Sequence, residues 1–432
     1  MTSRPAGPSS RAAWRLPALG EQIVSMLPLR HSANPDLAHL GRQVMGLAQD
    51  WLGLAKTAWA TVYEQRPELV TRRDQASPAA WLQGRRVLVL GAGAIGAPIA
   101  ADCVRAGASQ VTVVDNSAVH PGILVRQPYD DADIDKPKAA VLAERLGRIR
   151  PETTVTGLVG DVLDTILGEH ADIPDADLIV DATANPMVAA KLELRRWAAR
   201  DRWPPVCTVV IGHRAERGLA TLSLPGATGG GADLLRRVGL AARTDPTGQL
   251  RDLAGDLFPH PPRADVFQPE PGCSQPTFVG SASQVAALAA HLLTGTLATL
   301  AGHATGRPVA AMSALVVRLD TDLDQPARPP ARLDWPNDLT STDPASGYEI
   351  RIAAEALAEL RAEARRGARL RGRKVETGGL LLGQIDDACR VVWVSVATGP
   401  PPDSRLFPCQ VGVLNLSQPE ADLFPAGLGL GA

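Results

Sequence analysis

Residues 86–115 constrain the fold of this chain more than any other segment. They read RVLVLGAGAIGAPIAADCVRAGASQVTVVD, which predicts an apolar strand, a glycine turn, a helix and a second strand ending in an acid, Asp115. In such a unit, backbone N–H groups at the start of the helix can hold a phosphate. An acid about 20 residues further on can bind a ribose hydroxyl. The segment therefore predicts a nucleotide-binding α/β domain.

Composition and charge exclude several classes of function. The 432 residues are 45% apolar, which is enough for the cores of two or three domains. The 44 basic and 46 acidic side chains give a net charge of −2, so bulk electrostatic affinity for nucleic acid or an anionic membrane is not expected. We find no secretory signal pattern, and we expect no apolar stretch long enough to span a bilayer. These features predict a soluble cytoplasmic protein that binds neither nucleic acid nor membrane.

The cysteines indicate the redox compartment. They stand at positions 103, 207, 273, 389 and 409, an odd and scattered set of five without a Cys-x-x-Cys pair. This pattern argues against a disulfide framework and against a structural zinc site. A reducing cytoplasm fits both points. We predict that Cys103, on the apolar side of a helix, and Cys207, in a strand, are core residues.

The remaining pattern divides the chain into segments. Residues 1–13, rich in Ser, Pro, Gly and Arg, are predicted to be disordered, and residues 14–79 to be a helical N-terminal segment. Strands and helices then alternate over residues 80–321, which predicts a doubly wound, mostly parallel Rossmann-like sheet with helices on both faces. Residues 322–346, rich in Pro and Asp, are predicted to be a linker. A smaller α/β module is expected over residues 347–432.

Three segments after the glycine turn distinguish between classes of nucleotide-binding protein. They are Arg126-Gln127, the run DIDKPK that ends at Lys138, and LIVDATANP at 178–186. A glycine turn alone is used by several classes, among them hydride-transferring enzymes. This ordered set resembles the ThiF/MoeB family of adenylating enzymes, which is related to ubiquitin-activating enzyme. The resemblance covers roughly residues 80–320.

The resemblance implies a reaction and a set of site residues. It implies adenylation of the C-terminal carboxylate of a ubiquitin-like or sulfur-carrier protein with ATP and Mg²⁺, in a homodimer, with a ubiquitin-conjugating-like protein as a further partner. Asp115 would bind the ribose, Arg126 and Lys138 would act on the phosphates, and Asp181 would hold Mg²⁺. The chain has Ile123 where the family usually has Asn. The residues that the resemblance assigns to ATP are Gly91, Gly93, Ile95, Gly96, Asp115, Asn116, Arg126, Gln127, Lys138, Asp181 and Asn185.

Cys273 is the candidate nucleophile. It lies in PEPGCSQPTF, where Gly272, Ser274 and Pro276 predict an exposed loop before an apolar helix. A thiolate is nucleophilic near neutral pH without a strong base. In the family that the chain resembles, a cysteine at about this place can take the activated acyl group from AMP as a thioester or an acyl disulfide. The resemblance therefore implies thioester formation on Cys273, with a purely structural role as the open alternative.

The segment 374–405 resembles the start of a JAB/MPN metalloprotease domain. Glu376 matches the general base of that family, which acts on a zinc-bound water. A catalytic zinc needs two histidines, and the chain has none after His303. We therefore predict no protease activity. We interpret Glu376 as a remnant in a module whose last 25 or so residues look like a truncated end.

Two other functions stay open at this point. The first is an NAD-dependent oxidoreductase, which would use the same glycine turn and give no role to Arg126, Lys138 or Asp181. The second is a degenerate activating-enzyme-like scaffold that binds nucleotide without catalysis, which Ile123 favours. Each candidate residue also has an ordinary structural interpretation, as a surface cation, a helix cap or an acid at the end of a strand.

Overall fold

The computed structural model describes most of the chain. The described residues are 13–15, 39, 41–46, 49, 58–60, 74–169, 171, 173–264, 267, 277–319, 328–369, 379–387 and 389–399. They fall into two compact units, Met1–Arg72 and Arg73–Ala432. Cys273, Glu376 and nearly all of the segment predicted to be disordered lie outside the described residues.

The first unit contains a short strand pair. Strand β1, Ala13–Arg15, pairs antiparallel with β2, Ala58–Ala60, and residues 41–46 are helical. Strand β2 thus lies inside the segment 14–79 that was predicted to be helical, and residues 41–46 are a helical part of it. Helical spacing of apolar residues does not exclude a strand, because a short stretch of three residues can match either period.

The second unit is built on a large sheet whose central strands are parallel. Within the described residues the sheet has eight strands in the order β10-β9-β8-β7-β6-β3-β4-β5. Here β8 is Arg217–Ser223, β9 is Met312–Arg318 and β10 is Ala331–Trp335. The neighbouring pairs from β7 to β5 are parallel, and those from β10 to β7 are antiparallel. The parallel strands are β3 Arg86–Leu90, β4 Gln110–Asp115, β5 Thr154–Val159, β6 Leu178–Asp181 and β7 Val206–Ile211. The predicted doubly wound α/β fold is confirmed.

Helices cover both faces of the parallel strands. The helices are α1 Gly96–Arg105, α2 Lys138–Gly147, α3 Val162–Thr165 and α4 Pro186–Trp197. Side chains alternate along each strand, so Val87 and Val89 pack into one core cluster and Leu88 and Leu90 into another. This is why strand β3 is apolar at every one of these positions: both of its faces are buried.

Helix α7, Ala282–Ala304, packs against the sheet and against α1. Among the described helices it is the one long and apolar enough to cross a membrane, and 56% of its apolar window is buried inside the protein. The prediction that no apolar stretch reaches such a length was wrong. Leu288, Leu292 and Leu300 lie in the main core, so packing on the sheet accounts for this composition.

The sheet continues past the predicted end of the domain. Strands β8 Arg217–Ser223, β9 Met312–Arg318 and β10 Ala331–Trp335 extend it, and helices α5 Gly231–Thr244 and α6 Arg251–Asp256 cover this part. The linker predicted over residues 322–346 thus contains a strand of the main sheet. Leu333 and Trp335 alternate with polar residues and pack against the α5 and α6 core, a pattern that the surrounding prolines obscured.

A second sheet lies in the C-terminal part of the same unit. Its order is β11-β12-β14-β13, formed by Leu339–Thr342, Glu349–Ile352, Val391–Ala397 and Leu381–Asp386. Helix α8, Ala354–Arg369, packs against β14. A helix and strands are therefore present where the smaller α/β module was expected. Strand β11 begins inside the predicted linker, and the likeness of this part to a JAB/MPN domain stays a prediction.

Buried charges join the second sheet to the large one. Arg351 of β12 lies 3.3 Å from the Glu193 carboxylate of α4, and its guanidinium stacks 3.5 Å from the centre of the Trp197 ring. Arg237 of α5 forms ion pairs with Asp233 at 2.8 Å and with Asp338 at 2.6 Å. The C-terminal sheet is thus fixed to the helices of the large sheet.

Candidate functional site

A cleft of about 540 Å³ opens at the carboxyl edge of the parallel strands. It lies where the chain order reverses, because β3 has β4 on one side and β6 on the other. Such a switch point is where open α/β sheets bind ligands. The cleft is lined by Gly91, Gly93, Val114, Asp115, Asn116, Ser117, Asp161, Val162, Ala182, Thr183, Ala184, Asn185, Pro186 and Val188.

The glycine turn forms one wall of this cleft. Gly91 has a φ of +94°, and a Cβ on Gly96 would lie 1.9 Å from the Gly91 carbonyl oxygen, so α1 can approach the strand only without a side chain there. A Cβ on Gly93 would meet no protein atom within 4 Å. Gly93 is therefore not required by packing, and the space beside it faces the cleft.

Backbone donors at the start of α1 are available to a ligand. Helix α1 has no side-chain cap at Ile95, whose own side chain is buried in the core. Within the part of the chain that the structure describes, the N–H groups of Gly93, Ala94 and Ile95 have no protein acceptor. Three free N–H groups at the N-terminus of a helix form a favourable place for phosphate oxygens.

The turn is braced from both sides. Asp115 Oδ2 accepts a hydrogen bond from the Ala92 N–H at 2.7 Å, and Oδ1 accepts from the Ser117 N–H at 2.7 Å. On the other side, the Tyr129 hydroxyl donates to the Ala92 carbonyl oxygen at 2.7 Å. Burial raises the pKa of Tyr129 well above its ordinary value, so this hydroxyl keeps its proton. Sequence reasoning found Asp115 but missed Tyr129.

The end of β6 forms the opposite wall. Asn185 lines the cleft and caps α4, accepting from the Met187 N–H at 2.9 Å. Asp181 is only 1% exposed, and its Oδ1 accepts from the Thr183 hydroxyl at 2.7 Å. Burial raises the pKa of Asp181, although the bonds from Thr183 oppose the shift. Asp181 is therefore placed behind the cleft wall rather than in it. Ala184, in the wall itself, has a φ of +54°.

Two further polar residues meet at the rim. Asn116 follows β4, and its Nδ2 lies 3.3 Å from Asp161 Oδ2, just past the end of β5. Asp161 also accepts from the Leu163 N–H at 2.8 Å and so caps α3. Asn116 was predicted as a site residue, whereas Asp161 was not. The position of Asp161 just after the third parallel strand could have indicated this role, because the carboxyl ends of parallel strands share one edge of the sheet.

The predicted phosphate-binding cations lie outside the cleft lining. Lys138 begins α2 and is 8% exposed; burial lowers its pKa, while Asp115 opposes the shift. Arg126 donates from Nη1 to the Phe278 carbonyl oxygen, and burial lowers its pKa. Gln127 is half-buried, and its Oε1 has no partner among the described residues. The structure therefore brings Gly91, Gly93, Asp115, Asn116 and Asn185 together, and leaves Arg126, Gln127, Lys138 and Asp181 around them.

The described cysteines agree with their predicted places. Cys103 and Cys207 are buried core residues, and burial raises the pKa of both thiols, that of Cys207 to about 12. Such thiols stay protonated and unreactive. The nucleophile prediction for Cys273 falls outside the described residues.

The fold and the position of the cleft are typical of nucleotide-binding α/β proteins with a glycine turn. The model of the ThiF family matches residues 75–308, more than half of the chain. The chain belongs to the ThiF family.

Curated relatives are similar over part of the chain. The sulfur carrier protein ThiS adenylyltransferase of Bacillus subtilis is 35% identical over 150 residues, which are 34% of this chain and 43% of the relative. The molybdopterin-synthase adenylyltransferase of Salmonella typhimurium is 30% identical over 124 residues, 28% of this chain and 47% of the relative. The chain thus matches less than half the length of either protein.

Solved structures show only a distant likeness. The Escherichia coli protein MccB, solved with ATP, is 16% identical, with a TM-score of 0.41 over 60% of this chain and 66% of that one.

Proposed function

We propose that this protein is an adenylyltransferase that uses ATP with Mg²⁺ to activate the C-terminal carboxylate of a ubiquitin-like or sulfur-carrier protein. The observation that carries the proposal is the cleft at the switch point of a ThiF-family sheet. Its three free backbone N–H groups suit phosphate, and the carboxylate of Asp115 suits a ribose. Curated relatives named as adenylyltransferases support the same reaction class.

The reaction places specific demands on these groups. A carboxylate oxygen of the carrier attacks the α-phosphorus of ATP, and the bond from that phosphorus to the oxygen bridging to the β-phosphate breaks. Pyrophosphate leaves with the electron pair, and the carrier becomes an acyl-adenylate. Negative charge builds on the phosphate oxygens, so donors and cations aimed at them stabilise the transition state. The N–H groups at α1 serve this role, and Arg126 and Lys138 are the nearby cations in the proposal.

The magnesium assignment to Asp181 does not fit the conformation described here. Asp181 is 1% exposed, and its Oδ1 already accepts hydrogen bonds from the Thr183 hydroxyl and N–H. No cluster of three or more metal-binding side chains occurs among the described residues. Because Mg²⁺ is usually held by substrate phosphates and only one or two carboxylates, it enters the proposal as part of the ATP cosubstrate.

A nucleotide-binding scaffold without catalysis is the second candidate function. Ile123, where the family usually has Asn, packs its side chain against the main core and supplies no donor to a phosphate. This observation favours weak or absent catalysis. A homodimer, a ubiquitin-conjugating-like partner, a thioester on Cys273 and a cytoplasmic location stay predictions.

The acyl-adenylate itself is the product to detect. The purified protein is incubated with ATP, hydroxylamine and each ubiquitin-like or sulfur-carrier protein encoded in the same genome, and the carrier is analysed by intact-mass spectrometry. We expect a carrier hydroxamate that requires both ATP and this protein. A carrier with an amidated C-terminus is the control and gives none. If ATP binds but no carrier forms a hydroxamate, the scaffold function replaces the adenylyltransferase.

A further inference from the structure

The Arg126 guanidinium makes its main contacts with one residue, Phe278. Its Nη1 donates to the Phe278 carbonyl oxygen, and its central carbon lies 4.8 Å from the centre of the Phe278 ring. The two residues are 152 positions apart, so the tertiary fold and not local sequence creates this contact. A guanidinium over an aromatic face is attracted by the negative charge of the ring surface.

These partners orient Arg126 without neutralising it. The carbonyl group and the ring of Phe278 are both uncharged. No carboxylate lies within ion-pair distance of Arg126 among the residues that the structure describes. Its Nε is buried without a hydrogen-bond partner. Arg145 provides the contrast, because it pairs with both Asp130 and Asp133. Since arginine keeps its charge at physiological pH, Arg126 is a half-buried cation with no anion beside it among the described residues.

Phe278 is held in place independently of Arg126. The residue before it, Thr277, donates its N–H to the Phe267 carbonyl oxygen at 2.9 Å. The residue after it, Val279, donates to the His213 carbonyl oxygen at 2.6 Å. The Phe278 side chain also packs against the main core. The position of Phe278 is therefore fixed by contacts other than the one with Arg126.

Arg126 belongs to a segment that contacts the glycine turn, although its side chain does not line the cleft. Tyr129, three residues further on, bonds to Ala92 in the glycine turn. Three residues span at most about 11 Å, so Arg126 lies in the same short segment as the residue that braces the glycine turn.

We propose that Phe278 is a positioning residue that holds Arg126 outside the cleft until a triphosphate binds, and that the contact competes with the phosphates for the guanidinium. This inference rests on the proposed function, in which the cleft binds ATP. It predicts that ATP binds more tightly when the ring is removed, because Arg126 then gives up a weaker contact before it reaches the phosphates.

The test is a double-mutant cycle on ATP affinity. The dissociation constant for ATP is measured by calorimetry for the wild type, Phe278→Leu, Arg126→Ala and the double variant. Phe278→Leu keeps the backbone carbonyl and removes only the ring. We expect it to bind ATP about two- to fivefold more tightly than the wild type. In the Arg126→Ala background the same substitution is expected to change nothing.

The experiment has a matched control variant, and two of its outcomes would contradict different proposals. Phe258→Leu makes the same chemical change at another half-buried phenylalanine, which packs against the α5 and α6 core, and is expected to leave ATP affinity unchanged. If the wild type binds ATP and Phe278→Leu binds it equally or more weakly, this inference is wrong while the proposed function stands. If the wild type does not bind ATP, the proposed function itself fails.

Discussion

The Asp115 carboxylate accepts a hydrogen bond from the Ala92 N–H at 2.7 Å, and so joins the end of β4 to the glycine turn. The acid proposed to bind ribose therefore already shapes the turn proposed to bind phosphate. Replacing it changes both the ligand contact and the turn. This coupling leads to the first prediction.

Asp115→Asn is expected to weaken ATP binding by tenfold or more. The amide can accept one of the two backbone bonds but loses the charge and one acceptor, and a bond to a charged group contributes about 1.5–3 kcal/mol. Calorimetric titration with ATP measures the effect. Asp131→Asn, an exposed acid beyond the cleft, is the control. Equal affinities of the wild type and Asp115→Asn would remove Asp115 from the site.

Gly96→Ala and Gly93→Ala are expected to separate folding from binding. A Cβ on Gly96 would clash with the Gly91 carbonyl oxygen, so we expect a loss of about 2 kcal/mol or more in the free energy of unfolding. Gly93→Ala meets no protein atom, so its stability is expected to stay near that of the wild type while ATP binding weakens. Urea denaturation and ATP titration of both variants check the pair. A stable Gly96→Ala variant would contradict the described turn.

Tyr129→Phe is expected to lower the free energy of unfolding by about 1 kcal/mol, because the buried Ala92 carbonyl oxygen loses its donor while the ring stays in place. Tyr348→Phe removes a hydroxyl from an exposed bond to Asp387 and serves as the control, with a smaller expected loss. Denaturant unfolding followed by circular dichroism gives both values. A loss no greater than that of Tyr348→Phe would argue against the brace.

The buried charges beneath the second sheet predict a pH dependence. Burial raises the pKa of Asp233 to about 6, although Arg237 opposes the shift. A carboxyl whose pKa is higher in the folded state binds its proton more tightly there, so its contribution to stability is full below the unfolded pKa and is lost as pH rises through about 6. We expect the stability of the wild type relative to Asp233→Asn to fall by about 1–3 kcal/mol between pH 4 and pH 7. Thermal melts across this range measure the difference, and a rising or flat difference contradicts the prediction.

Removing one partner of the Arg351 and Glu193 pair is expected to detach the second sheet. Arg351→Met leaves the Glu193 carboxylate buried opposite an apolar side chain, which costs about 3–5 kcal/mol in comparable pairs. Hydrogen exchange of β12 and β14 is expected to rise in this variant, while exchange in β3 stays slow. Unchanged protection of β12 would show that the ion pair does not hold the sheet. Arg366→Met, near the end of α8, removes a pair with an exposed arginine and is the control.

The sequence predicted those parts of the site that local pattern determines. Gly91, Gly96 and Asp115 belong to one strand, turn, helix and strand unit, so their spacing alone predicts their places. Local spacing could not identify Tyr129 or Asp161, because Tyr129 meets the glycine turn, and Asp161 the cleft, only in the folded structure. Strand β10 was missed for a different reason: its alternation of Leu333 and Trp335 lies within proline-rich sequence. The side-chain direction of Arg126 depends on Phe278, which no local pattern could reveal.

ATP–pyrophosphate exchange tests most directly whether this protein adenylates a protein carboxylate. The purified protein is assayed with labelled pyrophosphate and each candidate ubiquitin-like or sulfur-carrier protein. We predict exchange that requires one particular carrier and is lost in Arg126→Ala but kept in Cys273→Ala, because any thioester would form after adenylation. Bound ATP without exchange for any carrier would contradict the account.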